Sequence, residues 1–257
     1  PTPEELDQAP HYLFGVADGA EAWSVGRWQR AALPIIADIR SRGKSPILVG
    51  GTGLYFRSLT HGLAEIPTAA PETRAAAAAE FEALGEIAFR DRLAKVDPAA
   101  AARIAPGDRQ RLVRAWEVHL TAGQSLSELQ AQTTAPLAVD AWWGLAIDPP
   151  REALYARCDA RLAAMIEAGA ADEVSALLAR SLAPDLPVMK ALGLAEIAAW
   201  QAGEMNLEEA LAAARQATRR YAKRQATWFR NQTPDWPRVS ASDPEAQWGQ
   251  FLALGAP

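Results

Sequence analysis

The sequence has very few of the residues that build disulfide-bonded or metal-binding proteins. Cys158 is the only cysteine among 257 residues, which excludes an intramolecular disulfide and a thiolate zinc cluster. The three histidines, His11, His61 and His119, are widely separated and lack metal-ligand spacing. No apolar run approaches the roughly 20 residues of a membrane helix, and no signal-peptide pattern opens the chain. We therefore expect a soluble, cytoplasmic protein with no membrane partner.

One segment is strongly basic although the chain as a whole is acidic. The formal net charge is −5, yet residues 211–231 hold six cations and no acid. Their composition predicts one helix, with Arg215, Arg219 and Lys223 on one face. Trp228 lies among these charges, and flat rings beside cations can stack on bases while the cations bind phosphates. A solvated helix face is the alternative, but such a face usually mixes both signs of charge, so we favour a nucleic-acid partner.

Two short apolar runs predict strands of a parallel α/β sheet. Residues 25–42 have a helical apolar period, residues 46–49 are predicted to be a buried strand, and residues 54–60 the next helix. Helix, buried strand, glycine turn and helix in this order are typical of a parallel sheet. Residues 141–147 are a second strand candidate. Because two strands are too few for a stable parallel sheet, we expect N-terminal strands to be missing from this sequence.

Most of the remaining chain is predicted to be helical. Residues 69–134 are alanine-rich, with breaks at Gly85, residues 97–98, residues 106–107 and Gly123, and Asp108 is a good N-cap. Further helices are predicted at residues 151–168, 171–182, 193–203 and 207–229. The opening PTPEELDQAPHYLF is predicted to have no helix or strand, and the tail beyond Pro234 is weakly patterned. The predicted organisation is an α/β core (residues 1–68), a helical insertion (69–134) and a second part of the core (135–257).

The glycine-rich residues 50–55 (GGTGLY) follow the first predicted strand. Open α/β sheets bind ligands at the carboxyl ends of their strands, glycines allow close backbone approach, and Thr52 offers a hydroxyl at a helix N-terminus. The motif is neither a Walker A loop nor a full dinucleotide fingerprint. A plain tight turn therefore remains an equal alternative.

Two other arginine-containing segments are candidate phosphate sites. Arg157 and Arg161 are one helical turn apart and could clamp a phosphate or diphosphate; pairing with Glu152 or Asp159 on a solvated face is the alternative. Residues 108–114 (DRQRLVR) combine a helix cap with three arginines. Such a helix start suits an RNA backbone or a single-stranded loop, again with a solvated face as the alternative.

Taken in order, these segments resemble the tRNA dimethylallyltransferase (isopentenyltransferase) family. The matching blocks cover nearly the whole chain: APHYLFGV, SPILVGGTGLYFRSLTHGL, DRQRLVRAWEV, PREALYARCDARLAAMIEAG, DLPVMKALGLAE and TRRYAKRQATWFRNQ. The resemblance implies a P-loop-type parallel-sheet core with a helical insertion that binds the tRNA anticodon arm. It also implies transfer of a dimethylallyl group from dimethylallyl diphosphate to N6 of the adenosine beside the anticodon, with Mg²⁺. We expect a monomer.

The resemblance further implies roles by position. Arg157 matches an arginine near the diphosphate, and Arg161 is its neighbour. Lys190, Leu194 and Ala195 depart from an Arg-x-x-Gly-Tyr-Arg type segment, so that tRNA contact is expected to be weaker or rebuilt. The residues that match tRNA-contacting segments are Thr52, Arg74, Gln110, Arg111, Leu112, Val113, Arg114, Lys190, Gly193, Lys223, Arg224, Gln225, Thr227, Trp228 and Arg230.

The family's N-terminal phosphate loop and its catalytic Asp have no match here, and Pro1 aligns just beyond them. Diphosphate departure needs cationic and backbone N–H stabilisation, which Arg157 alone cannot supply. We therefore predict that the 257-residue chain by itself lacks transfer activity, retains weak tRNA binding and contains no Mg²⁺ ligands. The alternatives are a non-catalytic RNA-binding module and a P-loop small-molecule kinase-like protein. The kinase-like alternative predicts no salt-dependent binding to an anticodon stem-loop.

Overall fold

The computed structural model describes residues 1–255, which form two compact units. The first unit contains Pro1–Phe56 together with the chain from Asp140 onward, and the second contains Arg57–Val139. The second unit therefore includes all of residues 69–134, the predicted helical insertion, together with residues 57–68 before it and residues 135–139 after it.

The described residues contain twelve α-helices and two short strands. In chain order the helices are α1 (Pro3–Gln8), α2 (Val25–Ser41), α3 (Gly53–Thr60), α4 (Pro71–Ala94), α5 (Pro98–Arg103), α6 (Arg109–Ala122), α7 (Leu126–Ala131), α8 (Arg151–Glu167), α9 (Ala170–Ala179), α10 (Leu194–Gln201), α11 (Leu207–Gln232) and α12 (Pro244–Ala253). The strands are β1 (Ala146–Ile147) and β2 (Arg238–Val239), and short 3₁₀ helices occupy Val139–Ala141 and Pro187–Lys190.

Local sequence signals locate most helix ends correctly. The predicted N-cap is confirmed, because the Asp108 carboxylate accepts a hydrogen bond of 3.1 Å from the Arg111 backbone N–H at the start of α6. Gly123 ends α6 in the left-handed conformation that glycine adopts without strain. Gly85 interrupts α4 with φ of 70°. The breaks predicted at Gly85 and Gly123 are therefore confirmed, since the helical conformation is interrupted or ends at each of them.

The start of the chain was predicted incorrectly, and the weakly patterned tail contains elements for which no prediction was made. Thr2 and Glu5 form a reciprocal capping box that starts α1, although the opening was expected to contain no helix. The tail contains both β2 and α12, and the Asp243 side chain caps α12 by accepting from the Ala246 backbone N–H. Both helices are short, so the capping residues at their N-termini indicate them more clearly than any periodic spacing of apolar residues does.

The strand predicted at residues 46–49 is absent. This segment forms neither helix nor strand, and the side chains of Ile47 and Val49 are 86% and 83% exposed. A strand requires a hydrogen-bonding neighbour, and no other part of residues 1–255 pairs with this segment. Its apolar composition alone was therefore not enough to predict a strand.

The sheet that does form joins distant parts of the chain. β1 pairs in parallel with β2, with Ala146 opposite Arg238 and Ile147 opposite Val239. Only the last two residues of the second predicted strand, residues 141–147, form β1. The architecture is therefore a mostly helical α/β fold with a small parallel sheet, and the larger sheet predicted for the core is not present in the described residues.

The second unit has a continuous apolar core between α4, α5 and α6. Trp116 of α6 is buried there and donates from its indole N–H to Glu80 (2.9 Å). The other buried members of the core are Ala77, Phe89, Leu93, Ala100, Ala101, Ile104, Leu112, Val113 and Ala115. Hydrogen bonds from Arg90 and from the Gly107 backbone N–H lower the pKa of Glu86 and tie α4 to the loop before α6.

Candidate nucleic-acid interface

The basic segment is one continuous helix, as predicted. α11 begins at a capping box formed by Asn206 and Glu209 and runs from Leu207 to Gln232. Its cations are not used equally, because only Arg219 has an ion-pair partner. Within residues 1–255, no salt bridge involves the remaining cations of this helix, which are Arg215, Arg220, Lys223, Arg224 and Arg230.

One face of α11 packs directly against the GGTGLY turn. A Cβ atom on Gly53 would overlap the ring of Trp228, and a Cβ on Gly51 would overlap the amide of Gln225. A Cβ on Gly50 would only touch Phe56, at 3.9 Å. Gly51 and Gly53 are therefore required for close approach between the turn and α11. Thr52, between them, is exposed.

An aromatic cluster lies behind this contact. The ring of Phe229 is 5.1 Å from that of Trp228, 6.1 Å from Phe56 and 6.3 Å from Trp236. Trp142 is 5.9 Å from Trp236. Trp228, which was the predicted base-stacking residue, is thus half-buried by aromatic packing and by Gly53. In this arrangement its ring positions the helix against the turn.

The opposite face of α11 borders a pocket of about 220 Å³. Lys223, Thr227 and Arg230 line one wall, and the small side chains of Ala222 and Ala226 leave room between α11 and the first turn of α8. Lys223, Thr227 and Arg230 are exposed. These three α11 side chains can therefore contact a phosphate bound in the pocket.

A single ion pair joins α11 to α8. The Arg219 guanidinium forms a bidentate pair with the Asp159 carboxylate, with Nε 3.2 Å from Oδ1. It also lies over the Tyr155 ring, 5.7 Å from its centroid. The hydrogen bonds to Asp159 raise the pKa of Arg219. This cation of the basic face therefore serves to hold two helices together.

Reversing one charge of this pair is expected to loosen the contact between the helices. Asp159→Arg or Arg219→Asp alone places like charges in contact, so each should lower the thermal unfolding midpoint by a few degrees. The double variant, which exchanges the two charges, should recover most of the loss. Circular dichroism at low and high salt measures both effects. A double variant no more stable than the sum of the single changes would show that the pair contributes nothing.

Arg238 holds the C-terminal end of α11, a role that no local sequence pattern indicated. Its guanidinium donates to the backbone carbonyls of Phe229 (3.1 Å) and Thr233 (3.2 Å) and lies 3.8 Å from the Asp148 carboxylate. A cation at this end of a helix complements its dipole. Arg238 belongs to β2, which was itself not predicted, so its partners were not recognisable.

The predicted diphosphate residues lie outside the pocket. The Arg157 guanidinium donates to the Ser242 carbonyl at 3.4 Å, and Arg161 is exposed on the same helix. Neither residue lines the pocket between α11 and α8. Sequence spacing placed both on one face of α8, but that face is not the one directed at α11.

The predicted RNA-binding residues of the second unit divide into exposed and buried groups. Arg74, Gln110 and Arg111 are exposed. Leu112 and Val113 are buried in the core of that unit, so their side chains support α6 and are not accessible to a ligand. Arg111 pairs with Asp108 (2.9 Å) and Arg114 with Glu117 (3.2 Å), which indicates that these cations are partly neutralised.

Of the departures from the family pattern around α10, the structure explains that of Leu194. Gly193 has φ of 88°, a conformation that strongly favours glycine. Leu194 is buried at the first position of α10, and Ala195 and Lys190 are exposed. Leu194 therefore contributes to packing, whereas Lys190 is available to a ligand.

Potential metal-binding side chains do not cluster among the described residues. No cluster of three or more His, Cys, Asp or Glu side chains able to hold a metal occurs in the described part of the chain. The pocket beside α11 contains one carboxylate, Asp148, and three cations, a donor set that suits an anion. No helix in residues 1–255 has the length and apolar composition of a membrane span.

Comparison with known proteins gives consistent matches over almost the entire chain. The sequence model of the IPP transferase family matches residues 1–232. The tRNA dimethylallyltransferase of Phenylobacterium zucineum (strain HLK1) is 63% identical over 253 residues, which cover 98% of this chain and 82% of that protein. The protein of the same name from Caulobacter sp. (strain K31) is 58% identical over 244 residues, 95% of this chain and 79% of that protein.

A solved structure extends the similarity to the fold. The full-length tRNA isopentenylpyrophosphate transferase of Bacillus halodurans matches with a TM-score of 0.64 and 32% sequence identity, over 99% of this chain and 80% of that chain. The fold of this chain is therefore similar to that of the Bacillus halodurans protein.

Proposed function

The chain belongs to the IPP transferase family and is an enzyme of that family, and on this premise we propose that it acts in transferring a dimethylallyl group to tRNA. The donor would be dimethylallyl diphosphate, and the acceptor N6 of the adenosine next to the anticodon. The observation that carries the RNA part of the proposal is the set of exposed cations of α11 that line the pocket, Lys223 and Arg230, for which the described residues supply no ion-pair partner. An acidic chain that concentrates such cations on one helix is suited to a local phosphate-rich partner.

In the proposed reaction the adenine N6 forms a bond to C1 of the dimethylallyl group. The bond between C1 and the diphosphate oxygen breaks, the diphosphate leaves with the electron pair, and N6 loses a proton. An adenine must leave the base stack to present N6 to a donor. Lys223 and Arg230 would hold RNA phosphates while this base is displaced, and Gly51 and Gly53 keep α11 against the turn.

These 257 residues have a limited role when they act alone. A departing diphosphate requires several cations or backbone N–H groups around it, and the sequence contains no Gly-x-x-x-x-Gly-Lys-Ser/Thr loop. We therefore predict that this chain by itself does not transfer the group. Magnesium, if it accompanies the diphosphate as the family resemblance implies, would take its ligands from outside these residues.

A chimeric enzyme tests the proposal. This chain would replace the matching region of the Phenylobacterium zucineum protein, and incorporation of radiolabelled dimethylallyl groups into tRNA would be measured. We expect the chimera to transfer the group and the 257-residue chain alone to show none. The intact P. zucineum protein is the positive control.

Each outcome has a distinct consequence. A folded chimera without transfer activity would contradict the proposed reaction, and if it still bound an anticodon stem-loop the chain would be an RNA-binding module. Transfer by the 257-residue chain alone would contradict the prediction that it is inactive. Absence of any salt-dependent RNA binding would favour the kinase-like alternative.

A further inference from the structure

The pocket beside α11 has a second wall to which the family resemblance gives no role. Asp148, Arg151 and Tyr155 approach from the end of β1 and the first turn of α8, opposite Lys223 and Arg230. We propose that this pocket is a phosphate-binding site, in which Arg151 and the Tyr155 hydroxyl act together with the α11 cations. The inference rests on the proposed function and adds two binding residues to it.

The charges of the pocket are not neutralised by the protein. Within residues 1–255, the side chains of Arg151, Lys223 and Arg230 take part in no ion pair and no hydrogen bond. Some exposed arginines elsewhere are paired, as Arg109 is with Glu82 (2.6 Å) and Arg180 with Asp18 (2.5 Å), and others such as Arg74 and Arg161 are single exposed cations that do not line this pocket. In a chain with five more acids than bases, three unpaired cations around one pocket indicate an anionic ligand.

The position of Arg151 does not suit a role in helix stability. It is the first residue of α8, and a cation at a helix N-terminus is disfavoured by the helix dipole. Its side chain lines the pocket instead. The only carboxylate in the lining, Asp148, lies near Arg238, which offsets its charge. The pocket therefore retains a positive potential.

The size and polar groups of the pocket suit phosphate rather than a whole nucleotide. Its volume of about 220 Å³ is below the roughly 300–1,000 Å³ of pockets that enclose drug-sized ligands. The hydroxyl-bearing side chains Tyr155 and Thr227 can donate to phosphate oxygens beside the cations. Arg219 lies over the Tyr155 ring and so fixes its orientation. The phosphate could belong to an RNA backbone or to a diphosphate.

Two variants and two probes test this site. Binding of a 32P-labelled anticodon stem-loop RNA and of inorganic pyrophosphate would be measured for the wild-type chain, Arg151→Gln and Tyr155→Phe. Arg30→Gln, which removes an exposed arginine of α2 outside the pocket, is the charge-matched control. For RNA we expect Arg151→Gln to weaken binding roughly fivefold at about 0.1 M salt and to reduce the salt slope by about 0.7. Tyr155→Phe should weaken it roughly twofold to fivefold.

The two probes distinguish the sources of the phosphate. A loss confined to RNA assigns the pocket to a backbone phosphate, and a loss confined to pyrophosphate assigns it to the diphosphate; either result supports the site. Equal binding by wild type, Arg151→Gln and Tyr155→Phe, or an equal loss in Arg30→Gln, would overturn it. So would a wild-type chain that binds neither probe.

Stability and activity measurements separate a binding role of Arg151 from a structural one. Because Arg151 opposes the helix dipole, Arg151→Gln should leave the thermal midpoint unchanged or raise it. A marked decrease would instead indicate a structural role and overturn the assignment. The chimera assay reports separately on the transfer reaction, so an inactive chimera with intact, Arg151-dependent phosphate binding would refute the proposed reaction and leave the site supported.

Discussion

Replacement of both Lys223 and Arg230 by glutamine is expected to weaken binding of an anticodon stem-loop RNA roughly 25-fold at about 0.1 M salt. Each phosphate neutralised on a single strand contributes about 0.7 to the slope of log K against log salt, so the loss of two contacts should also reduce that slope by about 1.4. Both side chains are exposed and line the pocket. Their removal should therefore leave the fold intact, which circular dichroism can verify.

The control for this prediction must remove the same charge from another place. Arg30→Gln with Lys44→Gln takes two exposed cations from α2 and the residues after it, and we expect RNA affinity to change less than twofold, within the small effect of distant charge. Fluorescence anisotropy over a salt series measures both double variants. Equal losses in the two would mean that net charge, and no particular surface of α11, determines RNA binding.

Replacement of Gly53 by alanine is expected to destabilise the first unit although alanine is the better helix former. Helix propensity alone would favour alanine by roughly 0.5–1 kcal/mol. The new Cβ, however, would overlap the Trp228 ring, which also packs edge-to-face on Phe229 with ring centroids 5.1 Å apart. Overpacking of this kind costs roughly 1–3 kcal/mol, so the clash outweighs the propensity. Urea unfolding followed by tryptophan fluorescence measures the difference.

Two further variants isolate the cause. Gly50→Ala lies in the same turn, where a Cβ would meet only Phe56 at an ordinary 3.9 Å, and should leave stability nearly unchanged. Trp228→Leu combined with Gly53→Ala removes the clashing ring, so the cost of the alanine should be smaller in that background. If Gly53→Ala were as stable as Gly50→Ala, the result would contradict the close contact between the turn and α11.

Much of the helical structure was predictable because its signals are local. A cap such as Asp108, a left-handed glycine such as Gly123 and the composition of α11 each act within one or two turns. The family was also recognisable, because its GGTGLY and KRQATWFR motifs are each made of consecutive residues in this sequence. Strands were predicted poorly, since residues 46–49 and β1 have similar apolar character but only β1 has a partner.

The sequence by itself determined most of the helices between α2 and α11, the basic character of α11 and the family. Only the tertiary structure decided which cations remain available: Arg219 is paired with Asp159 of α8, whereas Lys223 and Arg230 face an open pocket. It likewise assigned Trp228 to packing against Gly53 and brought Arg151 and Tyr155 opposite α11. The physical reason is that the ion pair of Arg219 with Asp159, 60 positions apart in the chain, and the contact of Trp228 with Gly53 join distant residues, and no local pattern records such contacts.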